Sequence, residues 1–268
     1  MPHLTASKTF LAAAAAAAVT LAACMPAAAA DKAALAAAAG APGDTTVVLV
    51  HGAFADGSSW DKVIPLLQAK GLKVVAVQNP LTSLGDDVAA AQRAIDAAPG
   101  PVVLVGHAGG GTVITQAGAG DKVKALVYVA ALAPSEGQSS GDVGKDYPPT
   151  TGIQKVKADA AGFLSMPAEA IASDFAQDLP RAATRVMAAT QGPIQSKAFA
   201  EPVTVVAWKN KPNYYLVAGK DRMIQPQLER DLAKKLNATT VEVQTGHVPM
   251  QSQPRQVADL IIKAAQAK

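Results

Sequence analysis

One cysteine and four histidines in 268 residues leave little from which to build a protein-ligated metal centre, and a lone cysteine closes no internal disulfide. No metal and no cofactor is expected. A charge excess is missing as well, because 24 Lys and Arg against 21 Asp and Glu give only +3, too little for a polyanionic partner. Nucleic acid is therefore excluded as the expected ligand. Aromatics are sparse at 4%, while half of all residues are hydrophobic. That is enough to bury the core of one large domain or two small ones without staples.

The first forty residues differ from the rest, since 19 of the 30 between Leu11 and Gly40 are alanine. Lys8 precedes an apolar run, Phe10 to Ala23, that is too short for a comfortable membrane span and reads as a secretory signal peptide over residues 1–23. Leu21-Ala22-Ala23-Cys24 resembles the lipobox of bacterial lipoproteins, in which the cysteine is lipidated and becomes the new N-terminus. The expectation is an exported protein, periplasmic or held at the outer membrane by a lipid on Cys24, with no other membrane contact. The competing site is an ordinary cleavage after Ala28 to Ala30, which would discard Cys24. Residues 24–43 then form an Ala-rich tether, and the folded domain spans 44–268.

From Thr45 the chain cycles through a short apolar run, a Gly-rich turn and an amphipathic stretch, the pattern of an α/β protein with a mostly parallel sheet covered on both faces. Strands are expected at Thr46–Val50, Lys73–Gln78, Pro101–Val105, Ala125–Ala131, Asn213–Ala218 and Thr239–Gln244. Helices are expected at Trp60–Ala69, Leu84–Ala98, Gly110–Ala119, Pro226–Leu236 and Pro254–Ala267. The cycle breaks over 135–201, where Pro148, Pro149, Pro167, Pro180 and Pro193 divide short helical stretches. Such an excursion reads as a helical cap over the carboxyl ends of the strands, where ligands bind, or else as a layer that only stabilises the scaffold.

The most specific signal is Val103-Leu104-Val105-Gly106-His107-Ala108-Gly109-Gly110, a buried strand entering a Gly-rich turn and then a helix. This is the frame of a nucleophile elbow, with Gly106 and Gly110 two residues either side of the centre. The centre itself is Ala108, whose methyl group can neither attack nor lose a proton.

The chain resembles the α/β-hydrolase fold family, and within it the small esterase and hydroxynitrile-lyase-like group. The segment Val47-Val48-Leu49-Val50-His51-Gly52-Ala53-Phe54, with Trp60 just after it, looks like the family's HG loop. The resemblance implies an oxyanion hole from the backbone N–H groups of Ala53 and Gly109, with Phe54 beside the substrate. It also implies an acid and a base in the family's chain order, Asp221 in Val217-Ala218-Gly219-Lys220-Asp221 and His247 in Thr245-Gly246-His247-Val248-Pro249. Asp221 taken alone could equally be a turn residue capping the helix near Pro226. His51 and His107 read as structural, and Asp86, Asp87 and Asp231 as charged helix faces. Phe54, Trp60, Phe163, Phe175 and Trp208 are the aromatics expected near a binding-site mouth.

With serine at 108 this arrangement would hydrolyse a small carboxylic ester through an acyl-enzyme. With Ala108 that route is closed, and three accounts stand: a serine-to-alanine form of an active hydrolase, a relative that binds ligand without turnover, or direct base catalysis by the His/Asp pair as in lyases or cofactor-free oxygenases. Gly109, where the group usually carries a larger residue, is a second departure. The sequence leaves the particular ester and the oligomeric state open.

Overall fold

A computed structural model describes residues 44–267; the leader, Cys24 and the tether expected upstream lie outside the described residues. Nine strands occur among them: β1 (Thr46–Val50), β2 (Lys73–Val77), β3 (Val102–Ala108), β4 (Val123–Ala131), β5 (Lys157–Ala158), β6 (Phe163–Ser165), β7 (Ile194–Gln195), β8 (Asn213–Ala218) and β9 (Thr239–Val243). Six of them form one sheet in the order β2-β1-β3-β4-β8-β9, and every neighbouring pair is parallel.

Strand residues alternate between the two faces, so one face collects Val47, Leu49, Val103 and Val105 and the other Val48, Val50, Leu104 and Leu126. Helices Ile64–Gln68 and Pro254–Gln266 cover the first face. Helices Leu84–Ala97, Gly110–Ala117 and Pro226–Lys235 cover the second. The four inner strands are buried along nearly their whole length, as their unbroken apolar runs require. The two edge strands are not: β2 leaves Val75 41% exposed and β9 exposes Thr239 to Glu242. None of the helices among the described residues is long and apolar enough to cross a membrane.

Most helix boundaries fall within one or two residues of expectation. The exception is Trp60–Ala69, which divides into a 3-10 turn at Gly57–Trp60 and the helix Ile64–Gln68, with Pro65 in the first turn of the latter. Trp60 itself is fully buried in the core and does not border a mouth. Trp208 packs, partly buried, against the second face: its indole N–H donates to the Pro134 carbonyl at 3.0 Å and the Lys235 ammonium lies 5.2 Å from its ring.

The excursion at 135–201 carries helices Ser140–Val143, Arg181–Thr190 and Lys197–Ala200, a π-helical turn at Ile171–Phe175, and the small antiparallel sheet β5-β6-β7. That sheet was not expected, because strands of two or three residues are too short for a period to register. The excursion packs onto the loops that leave the carboxyl ends of β8 and β9. Gly152 N–H donates to the Arg222 carbonyl and Gln177 Nε2 to the Lys220 carbonyl, while Asp178 accepts from Gly246 N–H.

Candidate active site

Strand β3 runs to Ala108, which holds φ at +50°, in the left-handed region that an alanine seldom enters. The helix Gly110–Ala117 starts two residues later. The turn is this tight because its flanking glycines touch backbone. A Cβ on Gly106 would lie 2.5 Å from the Gly110 carbonyl oxygen, and one on Gly110 would lie 2.5 Å from the Val50 carbonyl oxygen. The β3–β4 register slips beside the turn, pairing His107 with Val129 but Ala108 with Ala131, so Ala130 is a bulge residue at φ +44°.

The loop after β1 lies against this turn. A Cβ built on Gly52 would sit 2.7 Å from the Ala108 Cβ, and the Cβ position of Gly109 is 4.0 Å from the backbone nitrogen of Ala53. The two backbone segments expected to form an anion-binding hole are therefore neighbours. Phe54 follows at φ +59°, buried.

The loops after β8 and β9 bring Asp221 and His247 together, with Nδ1 of the imidazole 2.5 Å from Oδ2 of the carboxylate. Asp221 Oδ1 accepts from the N–H groups of Met223 and Ile224 at 2.6 and 3.0 Å, so this side chain both closes a turn and holds the imidazole. It does not cap the following helix, whose N-cap is Gln225. Because Nδ1–H donates to the carboxylate, Nε2 is the nitrogen left for a reacting group.

The elbow and the imidazole are linked by His107. Its Nε2–H donates to the His247 carbonyl at 2.7 Å, and the two rings lie 4.7 Å apart. Nδ1 of His107 has no partner, and burial first, then the neighbouring His247, hold its pKa well below the ordinary value. His51 is fixed similarly. Its Nδ1–H donates to the Gly52 carbonyl and its Nε2 accepts from Asn79 N–H, and burial lowers its pKa. Both are neutral fasteners between loops. Phe175 from the π-helical turn sets its ring edge-on to His247 at 5.1 Å. It is fully buried, so it belongs to the wall of the imidazole and not to a mouth. Phe163 lies on β6 in the excursion, partly buried.

A cavity of about 580 Å³ opens between the excursion and the segments that follow β1, β4 and β8. Its lining is chiefly apolar and includes Phe54, Leu132, Leu164, Phe199, Met223 and Ile224. It adjoins the centre through these residues. Leu132 N–H donates to the Ala108 carbonyl at 3.0 Å, and Met223 and Ile224 hold Asp221. Ala108 and His247 are 7% and 2% exposed and do not line it.

Two carboxyls near the centre escaped the sequence reading. Asp87 is buried, not part of a solvated face; it accepts from Leu81 N–H at 2.8 Å, and its pKa is raised to about 6, chiefly by burial. Glu229 is fully buried against the end of β8. The signal was helical phase: Asp87 shares a stripe with Leu84, Ala91 and Ile95, and Glu229 one with Leu232, Ala233 and Leu236. Asp86 and Asp231 do sit on exposed faces.

Residues 47–260 match the model of the alpha/beta hydrolase family. The chain belongs to that family. Among curated proteins it is similar to a probable hydrolase, R7, of Phoma sp., 29% identical over 247 residues that cover 82% of this chain and 97% of the relative. Among solved structures it is similar to a pyrethroid hydrolase from Sphingobium faniae, with a TM-score of 0.72 at 22% identity over 83% of this chain and 98% of that one. A polyneuridine aldehyde esterase matches with the same TM-score at 18% identity, covering 83% of this chain and all of that one. Both structures share the parallel sheet with flanking helices described above.

Proposed function

We propose that the chain is a carboxylic ester hydrolase scaffold for a small ester, in a form that binds substrate but forms no acyl-enzyme because residue 108 is alanine. His247 is the general base, Asp221 its orienter, Ala53 and Gly109 the oxyanion donors, and Phe54 a substrate contact. With a hydroxyl at 108 the steps follow directly. The oxygen attacks the ester carbonyl as Nε2 takes its proton, the alkoxide collects at the two N–H groups, and the proton passes to the departing alcohol. Water then repeats the sequence on the acyl group.

One observation carries this reading: Ala108 is held at φ +50°. An L-residue there loses about 1 kcal/mol, so the surroundings impose the conformation, and what it does is lift the side chain at 108 above the sheet. The apolar cavity supports an ester whose acyl or alkoxy group is uncharged, and its volume lies in the range of small-molecule sites. The test is Ala108→Ser assayed with short-chain aryl esters. A gain of about 10³-fold or more is expected, and a folded variant with no gain overturns the reading.

The intact His247–Asp221 pair favours one second reading, direct abstraction of a proton from bound substrate or water. Any turnover by the unaltered chain that survives His247→Ala cannot come from that pair. Export and lipidation at Cys24 remain part of the proposal, and loss of fatty-acid labelling in Cys24→Ser would support them.

A further inference from the structure

We propose that Glu229 is a positioning residue that hydrogen-bonds Asp221 through Oε1 as a neutral acid, making the pair a chain of His247, Asp221 and Glu229. Glu229 is completely buried in the helix Pro226–Lys235. Its Oε2 accepts from the backbone N–H of Ala218, the last residue of β8, at 2.8 Å. Its Oε1 is equally buried and receives no donor. A buried carboxyl oxygen to which no protein group donates is satisfied within the protein when it carries a proton and gives it to an acceptor. Ala218, whose N–H is held by Oε2, also accepts through its carbonyl from the N–H of Asp221 at 3.1 Å, so the turn that carries Asp221 is tied to the residue Glu229 holds.

The electrostatics agree. Two adjacent carboxyls in a dry interior cannot both ionise, and one of them must be anionic to hold the imidazole. Burial, and then the charge of Asp221, push Glu229 well above the usual carboxylate range. The other groups that act on it do not change this outcome. Arg230, which would lower it, is exposed and paired with Glu242 at 2.8 Å, and Tyr215 donates its hydroxyl to the Ala131 carbonyl. Asp221 thus has the capacity for four donors filled from Met223, Ile224, His247 and Glu229, which fixes its plane and so the ring of His247.

The first measurement needs no activity and uses the full chain as it stands: the imidazole of His247 is titrated by NMR in the parent, Glu229→Gln and Glu229→Leu. Glutamine is neutral, keeps an acceptor for Ala218 and keeps a donor for Asp221, so the midpoint should stay put. Leucine removes the donor, makes Asp221 more basic and should raise the midpoint by about half a unit or more. A fall of about one unit in Glu229→Gln would mean an anion had been removed and would overturn the proposal, as would identical midpoints in all three proteins. If the leucine variant does not fold, infrared spectroscopy at neutral pH still decides. A protonated-carboxyl stretch that disappears in Glu229→Gln supports the proposal, and its absence from the parent overturns it.

The kinetic arm rests on the ester-hydrolase reading. In the Ala108→Ser protein, Glu229→Leu should lower kcat about tenfold with KM little changed, and glutamine should recover most of the loss. An equal loss in both variants would overturn the positioning role. Failure of Ala108→Ser to hydrolyse esters would sink the functional reading and leave the titration result standing.

Discussion

The two halves of the site are built by different means. The half formed after β1 and β3 takes its shape chiefly from backbone packing, with Gly52, Gly106 and Gly110 letting chain segments touch around Ala108 and the side chains of His51 and His107 fastening it to the neighbouring loops. The half formed after β8 and β9 is made of side chains, with His247, Asp221 and Glu229 each fixed by named donors and acceptors. A site built from backbone keeps its shape when its one reactive side chain is absent. A site built from buried polar side chains does not, because every missing partner strands another group away from water. This is why an alanine can occupy the elbow while Gly52 and Gly109 keep their places against Ala108 and Ala53.

Substituting one of the packed glycines should break the first half most severely. In Gly110→Ala the new Cβ meets the Val50 and His51 carbonyl oxygens at 2.5 and 2.9 Å, and backbone cannot swing aside as a flexible side chain could. A loss of about 3 kcal/mol or more is expected in denaturant unfolding. A loss under about 1 kcal/mol would show that the turn is not packed on backbone at all.

The second half answers to side-chain deletion. His247→Leu leaves the buried Asp221 carboxylate with its turn donors but without the imidazole, and unfolding should become easier by about 2 kcal/mol. Ala108→Ser, at the other half of the same centre, should shift stability by no more than about 0.5 kcal/mol. Equal sensitivity at the two positions would erase the distinction.

Asp87 tests the boundary between the two kinds of construction, since it is a buried carboxyl beside the backbone-built half. Its folded pKa is about 6 against an ordinary value of 3.8, so the native protein holds the extra proton between those limits. Stability from this group is complete below 3.8 and is lost as pH rises through about 6. Asp87→Asn keeps the acceptor for Leu81 N–H and never ionises. It should therefore stabilise the protein by about 1 kcal/mol above that range and have no effect below it. His51 and His107 act in the opposite sense, their contribution falling away as pH drops below their ordinary value. The readout is thus the difference between variant and parent melting temperatures across pH, which cancels the histidines.

The same contrast explains what could be read from the residues alone. The inner strands and the elbow were legible because glycines at fixed spacing and unbroken aliphatic runs each have one structural meaning. Asp221 and His247 were legible only through the family resemblance, as residues just beyond strand ends, and their meeting at 2.5 Å is a product of tertiary folding. Aromatic residues carry no mark of depth in a sequence, and Trp60 and Phe175, expected near a mouth, are core. Asp87 and Glu229 were overlooked or misread because charge suggests solvent more strongly than helical phase suggests burial. The grip of Gln177 and Asp178 on the loops of Asp221 and His247 joins segments far apart in the chain, and no local pattern announces it.

The mildest test concerns Gly109, which lies among the packed glycines yet is not one of them. Its φ and ψ of −60° and −24° are ordinary helical values, open to any residue. A Cβ there finds only the Ala53 nitrogen, at 4.0 Å, and the neighbouring void of about 20 Å³ is large enough for one water. Glycine at this position therefore adds freedom to the unfolded chain and serves no contact in the folded one. Gly109→Ala should raise stability by about 0.5–1 kcal/mol, opposite in sign to Gly110→Ala one residue away. It should also leave the backbone N–H of residue 109 where it is, so that Ala108→Ser/Gly109→Ala hydrolyses esters as well as Ala108→Ser alone. Destabilisation by Gly109→Ala would mean that the half built of backbone extends one residue further than the contacts indicate.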